Sequence, residues 1–239
     1  MSDFSEIVHS GGAKRYLLDI FFPNRCPFCG KFISYDLLCC EECFNNALWA
    51  DENICGKCGK SVLKGCMCSS ELNYDACVTA MYFQGIGKNC IHNLKFKGNI
   101  NGGELMGRII HERLIAMGFY NEIDAIVPVP MAAKQRSVRG YNQAELIAKA
   151  IASKSDIPVI NNVLIRKNVK VSQHMLGAQE RHNAVSEQYF AADEKSLEGM
   201  TILLVDDVLT TGSTLGYCAY LLKDRLHAAK VICAAAATV

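Results

Sequence analysis

The stretch Ile202-Leu203-Leu204-Val205-Asp206-Asp207-Val208-Leu209-Thr210-Thr211-Gly212-Ser213-Thr214 constrains this chain more than any other. Four consecutive apolar residues read as a strand covered on both faces, because such strands sit in parallel sheets and lose the alternation of half-exposed ones. Two carboxylates stand where that strand is expected to end. A hydroxyl-rich turn follows, and then Leu215, Ala219 and Leu222 recur at helical spacing. In open α/β sheets, ligands bind beyond the carboxyl ends of the strands. Adjacent carboxylates there can accept hydrogen bonds from a vicinal diol such as ribose. Gly212 allows close backbone approach, and the turn amides with the helix start make an anion site. No Gly-Lys-[Ser/Thr] is present, so a Walker-type phosphate loop is a poor match.

Nine of the thirteen cysteines fall between residues 26 and 68, and eight of them form Cys26-x-x-Cys29, Cys40-x-x-Cys43, Cys55-x-x-Cys58 and Cys66-x-Cys68. In a reducing compartment this spacing reads as metal ligation, not as disulfides. Two thiolate knuckles complete a closed tetrahedral zinc site, with no open position for substrate. Sequential pairing gives one zinc at Cys26, Cys29, Cys40 and Cys43, and a second at Cys55, Cys58, Cys66 and Cys68. Cys66-x-Cys68 is tighter than the usual knuckle, so one or two structural ions are expected. Cys39 could replace Cys40, and an interleaved pairing also fits the spacing. Cys77, Cys90, Cys218 and Cys233 sit in apolar contexts and read as core residues.

Half of the residues are apolar, enough for a packed core. The net charge of +1 hides an uneven distribution. Residues 81–185 carry fourteen Lys/Arg against seven Asp/Glu, a balance of +7, so the middle of the chain suits polyanions. The first ten residues are polar and include Asp3 and Glu6, unlike a signal peptide. Apolar runs are too short to span a bilayer, and a cytoplasmic chain without a membrane span is expected.

Three regions are expected: an N-terminal helix over 1–22, a double zinc ribbon over 23–72, and an α/β body over 73–239. Tyr16, Leu17, Ile20 and Phe21 suggest an amphipathic helix packed on the body. In the body, strands are expected at 78–83, 125–129, 158–164, 201–205 and 230–239, alternating with helices at 104–117, 143–153 and after Ser213. A turn is expected at Gly85–Lys88, with a helix from Ile91 ended by Gly98. This alternation indicates a mostly parallel sheet flanked by helices. After Val127-Pro128-Val129-Pro130, a basic loop carrying Lys134, Arg136 and Arg139 reads as a pyrophosphate clamp, since Arg offers forked donors to phosphate oxygens. Lys95-Phe96-Lys97-Gly98 is a basic helix end. The polar segment from Ser172-Gln173-His174 to Arg181 and Asn183 reads as a mobile lid. Phe96 and Tyr141 lie near these cations and read first as core residues, second as base-stacking platforms.

The Asp206–Thr214 stretch resembles the phosphoribosyl-pyrophosphate (PRPP) motif of type I phosphoribosyltransferases. With the cysteine pairs, Lys-x-Lys-Gly, Val-Pro-Val-Pro, Arg-Gly-Tyr-Asn-Gln and Gln-His-x-Leu in order, the whole chain resembles the ComF family. The resemblance implies a type I phosphoribosyltransferase-like fold behind an N-terminal zinc-ribbon module. It implies that Asp206 and Asp207 hold the ribose hydroxyls and that Thr210, Thr211, Gly212, Ser213 and Thr214 cradle the 5′-phosphate. Lys134, Arg136 and Arg139 would then meet the pyrophosphate, with Mg²⁺ bridging its oxygens. It further implies handling of single-stranded DNA during natural transformation, with a competence helicase or other DNA-uptake proteins as partners. The alternative is an active phosphoribosyltransferase of nucleotide metabolism whose acceptor base is not legible.

Overall fold

The computed structural model describes residues 17, 20–64, 66, 68, 72–167, 188–192 and 197–239. Among the described residues the ribbon holds one short α-helix, α1 (Glu41–Asn46), and a 3-10 turn at Val62–Lys64. The body then runs β1 (Ala76–Tyr82), α2 (Ile86–Phe96), α3 (Asn101–Ala116), β2 (Ala125–Pro128), α4 (Ala133–Arg139) and α5 (Gln143–Ala152). It continues through β3 (Leu164–Arg166), β4 (Tyr189–Ala191), β5 (Thr201–Leu209), α6 (Ser213–Tyr220) and β6 (Lys230–Thr238).

The main sheet has the order β1-β6-β5-β2, and every pairing in it is parallel. Both faces are covered, which is why its strands read as unbroken apolar runs. On one face Leu203, Val205 and Ile232 meet Leu105, Met106, Ile110 and Ile147 of α3 and α5. On the other, Ile202, Leu204 and Val231 meet Leu215, Cys218 and Ala219 of α6. Gly107 lets α3 and α5 touch: a Cβ there would lie 2.4 Å from Ala150 Cβ. Cys77, Cys90, Cys218 and Cys233 are fully buried, as their apolar contexts suggested.

The ribbon is welded to this body. Trp49 forms an antiparallel bridge to Met81, and Ala50 N donates to Ala80 O at 2.9 Å, so the ribbon covers the β1 edge of the sheet. Phe28 and Phe44 pack around Trp49, whose indole N–H donates to Phe44 O at 2.9 Å.

Several expectations are corrected. Helix α2 begins at Ile86, inside the segment read as a turn. The basic segment after β2 is not a loop but helix α4, ended by Gly140 in the left-handed region. Ala133, Lys134, Gln135 and Arg136 are strong helix formers, and Gly140 is a natural C-terminal stop. Strand β5 continues through the acidic pair to Leu209, because β6 offers Ala235, Ala237 and Thr238 as partners. The strand expected at 158–164 shrinks to one parallel bridge between Val159 and Ile126. Asn162 at φ 64 breaks it, and β3 starts beyond. Strands β3 and β4 pair antiparallel in a second small sheet. Leu17, Ile20 and Phe21 are exposed, so these three side chains do not pack on the body. Tyr16 and the Ser172–Asn183 segment lie outside the described residues.

Candidate phosphoribosyl site and zinc centres

Strand β2 stops at Pro128 opposite Val205, while β5 runs on. Asp206 and Asp207 therefore stand past the last residue paired with β2, at the carboxyl end of a buried parallel strand. Asp207 N donates to Asp206 Oδ1 at 2.8 Å, which turns the first carboxylate back over the backbone. The second carboxylate meets Lys95 Nζ of α2 at 2.8 Å. Burial, then the neighbouring Asp207 charge, raises the Asp206 pKa to about 7, while Lys95 and Arg166 oppose the rise.

Beyond Leu209 the chain leaves the sheet. Thr211 Oγ1 and Ser213 Oγ lie 2.9 Å apart, and Gly212 adopts φ 82 at the N-cap of α6. A side chain in that left-handed conformation costs about 1–2 kcal/mol, so glycine closes the turn without strain. The turn presents hydroxyls and backbone N–H groups just after the acidic pair. Thr210 and Thr211 are exposed, whereas Gly212, Ser213 and Thr214 are half-buried.

Helix α4 follows β2 at the same end of the sheet. Arg136 is held by Glu145 at 3.0 Å, and Lys134 is exposed. The Glu145 carboxyl is kept below its ordinary pKa, first by its Lys149 hydrogen bond and then by Arg136. The Arg139 guanidinium lies 5.0 Å over the Phe96 ring, beside Lys95. Tyr141 donates to Leu94 O, and Asn142 caps α5 by accepting from Ala144 N at 3.1 Å. The Arg-Gly-Tyr-Asn-Gln segment thus does structural work, tying α4 and α5 to the end of α2. Phe96, read first as core, is 64% exposed.

Two participants were not singled out from the sequence. Arg166 of β3 lies near enough to Asp206 to oppose its pKa rise. It is 5.2 Å from the Tyr189 ring and donates to Gln188 at 3.0 Å, yet its Nε is buried without a partner. Buried Tyr189 shares a hydrogen bond with Thr214, and burial pushes its phenol pKa up. No local pattern marks either residue. Lys95 was noted only as a basic helix end.

The cysteines assemble as two separate groups, Cys26/Cys29/Cys40/Cys43 and Cys55/Cys58/Cys66/Cys68, with all four sulfurs of each within 4.8 Å of one another. Four thiolates at about 2.3 Å from a tetrahedral zinc stand about 3.8 Å apart. Cys29 and Cys40 are 3.8 Å apart, Cys26 and Cys40 3.6 Å, Cys58 and Cys66 3.4 Å. The donor sets fit zinc, and the pairing is sequential. Cys39 is fully buried in the core and does not join the first group. The second group abuts the end of β5, from which the Thr210–Thr214 turn departs. Gly59, at φ +73, has room for no Cβ, which would lie 2.5 Å from Cys77 Sγ and 2.7 Å from Leu209 Cδ2. Leu209 directly precedes Thr210.

A double zinc ribbon domain model matches residues 17–77, and a phosphoribosyl transferase domain model matches residues 104–239. The fold and the matched segments define a phosphoribosyl transferase domain carried behind a double zinc ribbon. The chain belongs to the ComF family. It is 36% identical over 101 residues to competence protein F of Haemophilus influenzae, covering 42% of this chain and 44% of that protein. It is 35% identical over 106 residues to competence protein ComFC of Bacillus subtilis, covering 44% and 41%. The match spans less than half the length of these two relatives. Against the DNA utilization protein YhgH of Escherichia coli K12 it is 25% identical over 203 residues, 81% of this chain and 88% of that protein. Among the described residues, no helix is long and apolar enough to cross a membrane.

Proposed function

We propose that the acidic end of β5 and the turn after it bind PRPP with Mg²⁺, and that the protein uses this pocket while handling single-stranded DNA in natural transformation. The observation that carries the first half is the placement of Asp206 and Asp207. They stand in β5 just beyond its last pairing with β2, two residues short of the strand's end at Leu209, and the Thr210–Thr214 turn follows that end. The carboxylates accept hydrogen bonds from the ribose diol, and the turn amides and hydroxyls hold the 5′-phosphate. The Arg136 and Arg139 guanidinium groups, with Lys134, neutralise the pyrophosphate, where Mg²⁺ supplies further positive charge. Lys95 currently occupies Asp207, so sugar binding exchanges an ammonium for hydroxyl donors. The competence and DNA-utilization names of the relatives, together with the basic middle of the chain, support the DNA half.

Titration calorimetry with Mg-PRPP tests the pocket. Replacing both acids (Asp206→Asn with Asp207→Asn) removes charge-assisted hydrogen bonds worth about 1.5–3 kcal/mol each, so affinity should fall on the order of 100-fold or more, with zinc content unchanged. Unaltered affinity would refute the assignment. One observation favours a second reading, an active phosphoribosyltransferase. Asp206 titrates near neutrality, where a carboxyl group serves best in proton transfer. Pyrophosphate release from PRPP in the presence of a nucleobase panel decides it: turnover with any base establishes the activity, and none leaves a binding pocket.

A further inference from the structure

The first cysteine knuckle and helix α2 do not close on each other. Between them lies a crevice of about 1160 Å³. Its two walls are fixed relative to one another, since Asn93 Nδ2 donates to Pro27 O at 2.8 Å and Asn99 Nδ2 to Arg25 O at 3.0 Å. The crevice is therefore preformed. It is larger than the roughly 300–1,000 Å³ of small-molecule pockets, which suits a length of polymer better than a single metabolite.

The chemistry of the walls is specific. Phe21 and Phe22 are 77% and 78% exposed, and Arg25 and Lys97 supply cations. No carboxylate lines the crevice among the described residues. Rings and cations alternate beyond its rim as well. The Arg25 guanidinium lies 3.9 Å over the exposed Phe32 ring. His92 packs at a tilt against Phe96, with 5.1 Å between ring centroids, and Arg139 covers Phe96 from α4. Exposed rings beside cations, without carboxylates to pair them, match what a single strand offers: unpaired bases to stack and phosphates to neutralise. The rings line a crevice, where a duplex with paired and stacked bases gains nothing from them.

We propose that this crevice binds a segment of single-stranded DNA, with bases stacked on Phe21 and Phe22 and phosphates held by Arg25 and Lys97. The inference rests on the DNA-handling reading and gives it a location apart from the PRPP pocket. Helix α2 joins the two: His92 and Lys97 face the crevice, while Lys95 reaches Asp207. A strand leaving the crevice along Phe96 and Arg139 arrives at the phosphoribosyl pocket.

Fluorescence anisotropy of a short labelled oligothymidylate, measured with the full-length zinc-loaded protein at about 50 mM salt and above, tests this. Stacking contributes about 1–3 kcal/mol per base, so Phe21→Ala with Phe22→Ala should weaken binding roughly 10-fold or more. Lys97→Glu should weaken it and flatten its salt dependence by about one phosphate contact. Mg-PRPP affinity, zinc content and melting temperature should hold in both variants, since these side chains are exposed. If wild type binds the oligonucleotide and both variants bind equally well, the crevice is not the site, although the DNA reading stands. If wild type does not bind it at all, both fail. A change of sedimentation in the Phe21/Phe22 variant with DNA affinity intact would assign the crevice to protein association instead.

Discussion

The first cysteine cluster draws all four sulfurs from residues 26–43, whereas the acidic pocket draws its charges from Lys95, Arg166, Asp206 and Asp207. The ribbon's geometry is local. The two members of each cysteine pair lie within three residues of each other in the chain, and a metal ion would close the set. The pocket's chemistry is composite: Asp206 titrates near neutrality only because the surrounding fold buries it and sets Asp207 beside it. Local sites are robust to changes elsewhere and fail when a ligand is lost. Composite sites keep their fold and lose their tuning. The second cysteine cluster joins the two regimes, because Gly59 rests on Leu209 at the threshold of the Thr210–Thr214 turn.

The largest effects should come from the ribbon. Structural zinc contributes about 10–16 kcal/mol of binding free energy in zinc-finger peptides, so losing one ligand should cost several kcal/mol. Cys26→Ser and Cys58→Ser should each release one metal ion per chain, read by atomic absorption, and lower the melting temperature. The two should differ at a distance. Cys58→Ser should weaken Mg-PRPP binding, whereas Cys26→Ser should leave it near wild type. Equal loss in both would break the distinction between the clusters.

Next comes Gly59→Ala. Left-handed backbone costs a side chain about 1–2 kcal/mol, and overpacking adds about 1–3 kcal/mol. Denaturant unfolding should show a loss of about 2–5 kcal/mol, with PRPP affinity reduced if the contact to Leu209 supports the turn.

The pocket should respond to pH. An aspartate whose folded pKa is raised to about 7 keeps its proton in the native state while the unfolded chain loses it near the reference value of about 3.9. Stability from this group is thus fully present below about pH 4, declines as pH rises through 7, and is flat above. Asp206→Asn should stabilise the protein at pH 8 and make little difference near pH 4, read by melting curves across that range. A gain that grows toward acid would contradict the burial account. Mg-PRPP binding by wild type should tighten as pH rises through about 7, as the carboxylate becomes free to accept hydrogen bonds.

The smallest expected effect is at Arg136, more than half exposed and paired with Glu145. Arg136→Ala should change stability by less than about 1 kcal/mol while weakening PRPP binding, and the latter effect should shrink with added salt.

The contrast also explains what the sequence could disclose. The cysteine sets, the apolar run of β5 and the acid–acid–hydroxyl order are contiguous, so their spacing carries the geometry. Whether β5 ended before or after Asp206 was not legible, because it depends on β6 supplying partners as far as Thr238. Helix α4 hid as a loop, since seven residues rich in cations carry no apolar stripe. The Lys95–Asp207 pair spans more than a hundred positions, and Arg166 and Tyr189 lie in three-residue strands that no periodicity marks. Phe96 was assigned inward by its apolarity alone, yet it lies outside under Arg139.

The most direct measurement is a crystal structure of the protein soaked with Mg-PRPP. The 5′-phosphate should lie in the Thr210–Thr214 turn, the ribose hydroxyls on Asp206 and Asp207, and Lys95 should have left its carboxylate partner. Density for the sugar elsewhere, with the Lys95–Asp207 pair intact, would contradict the account.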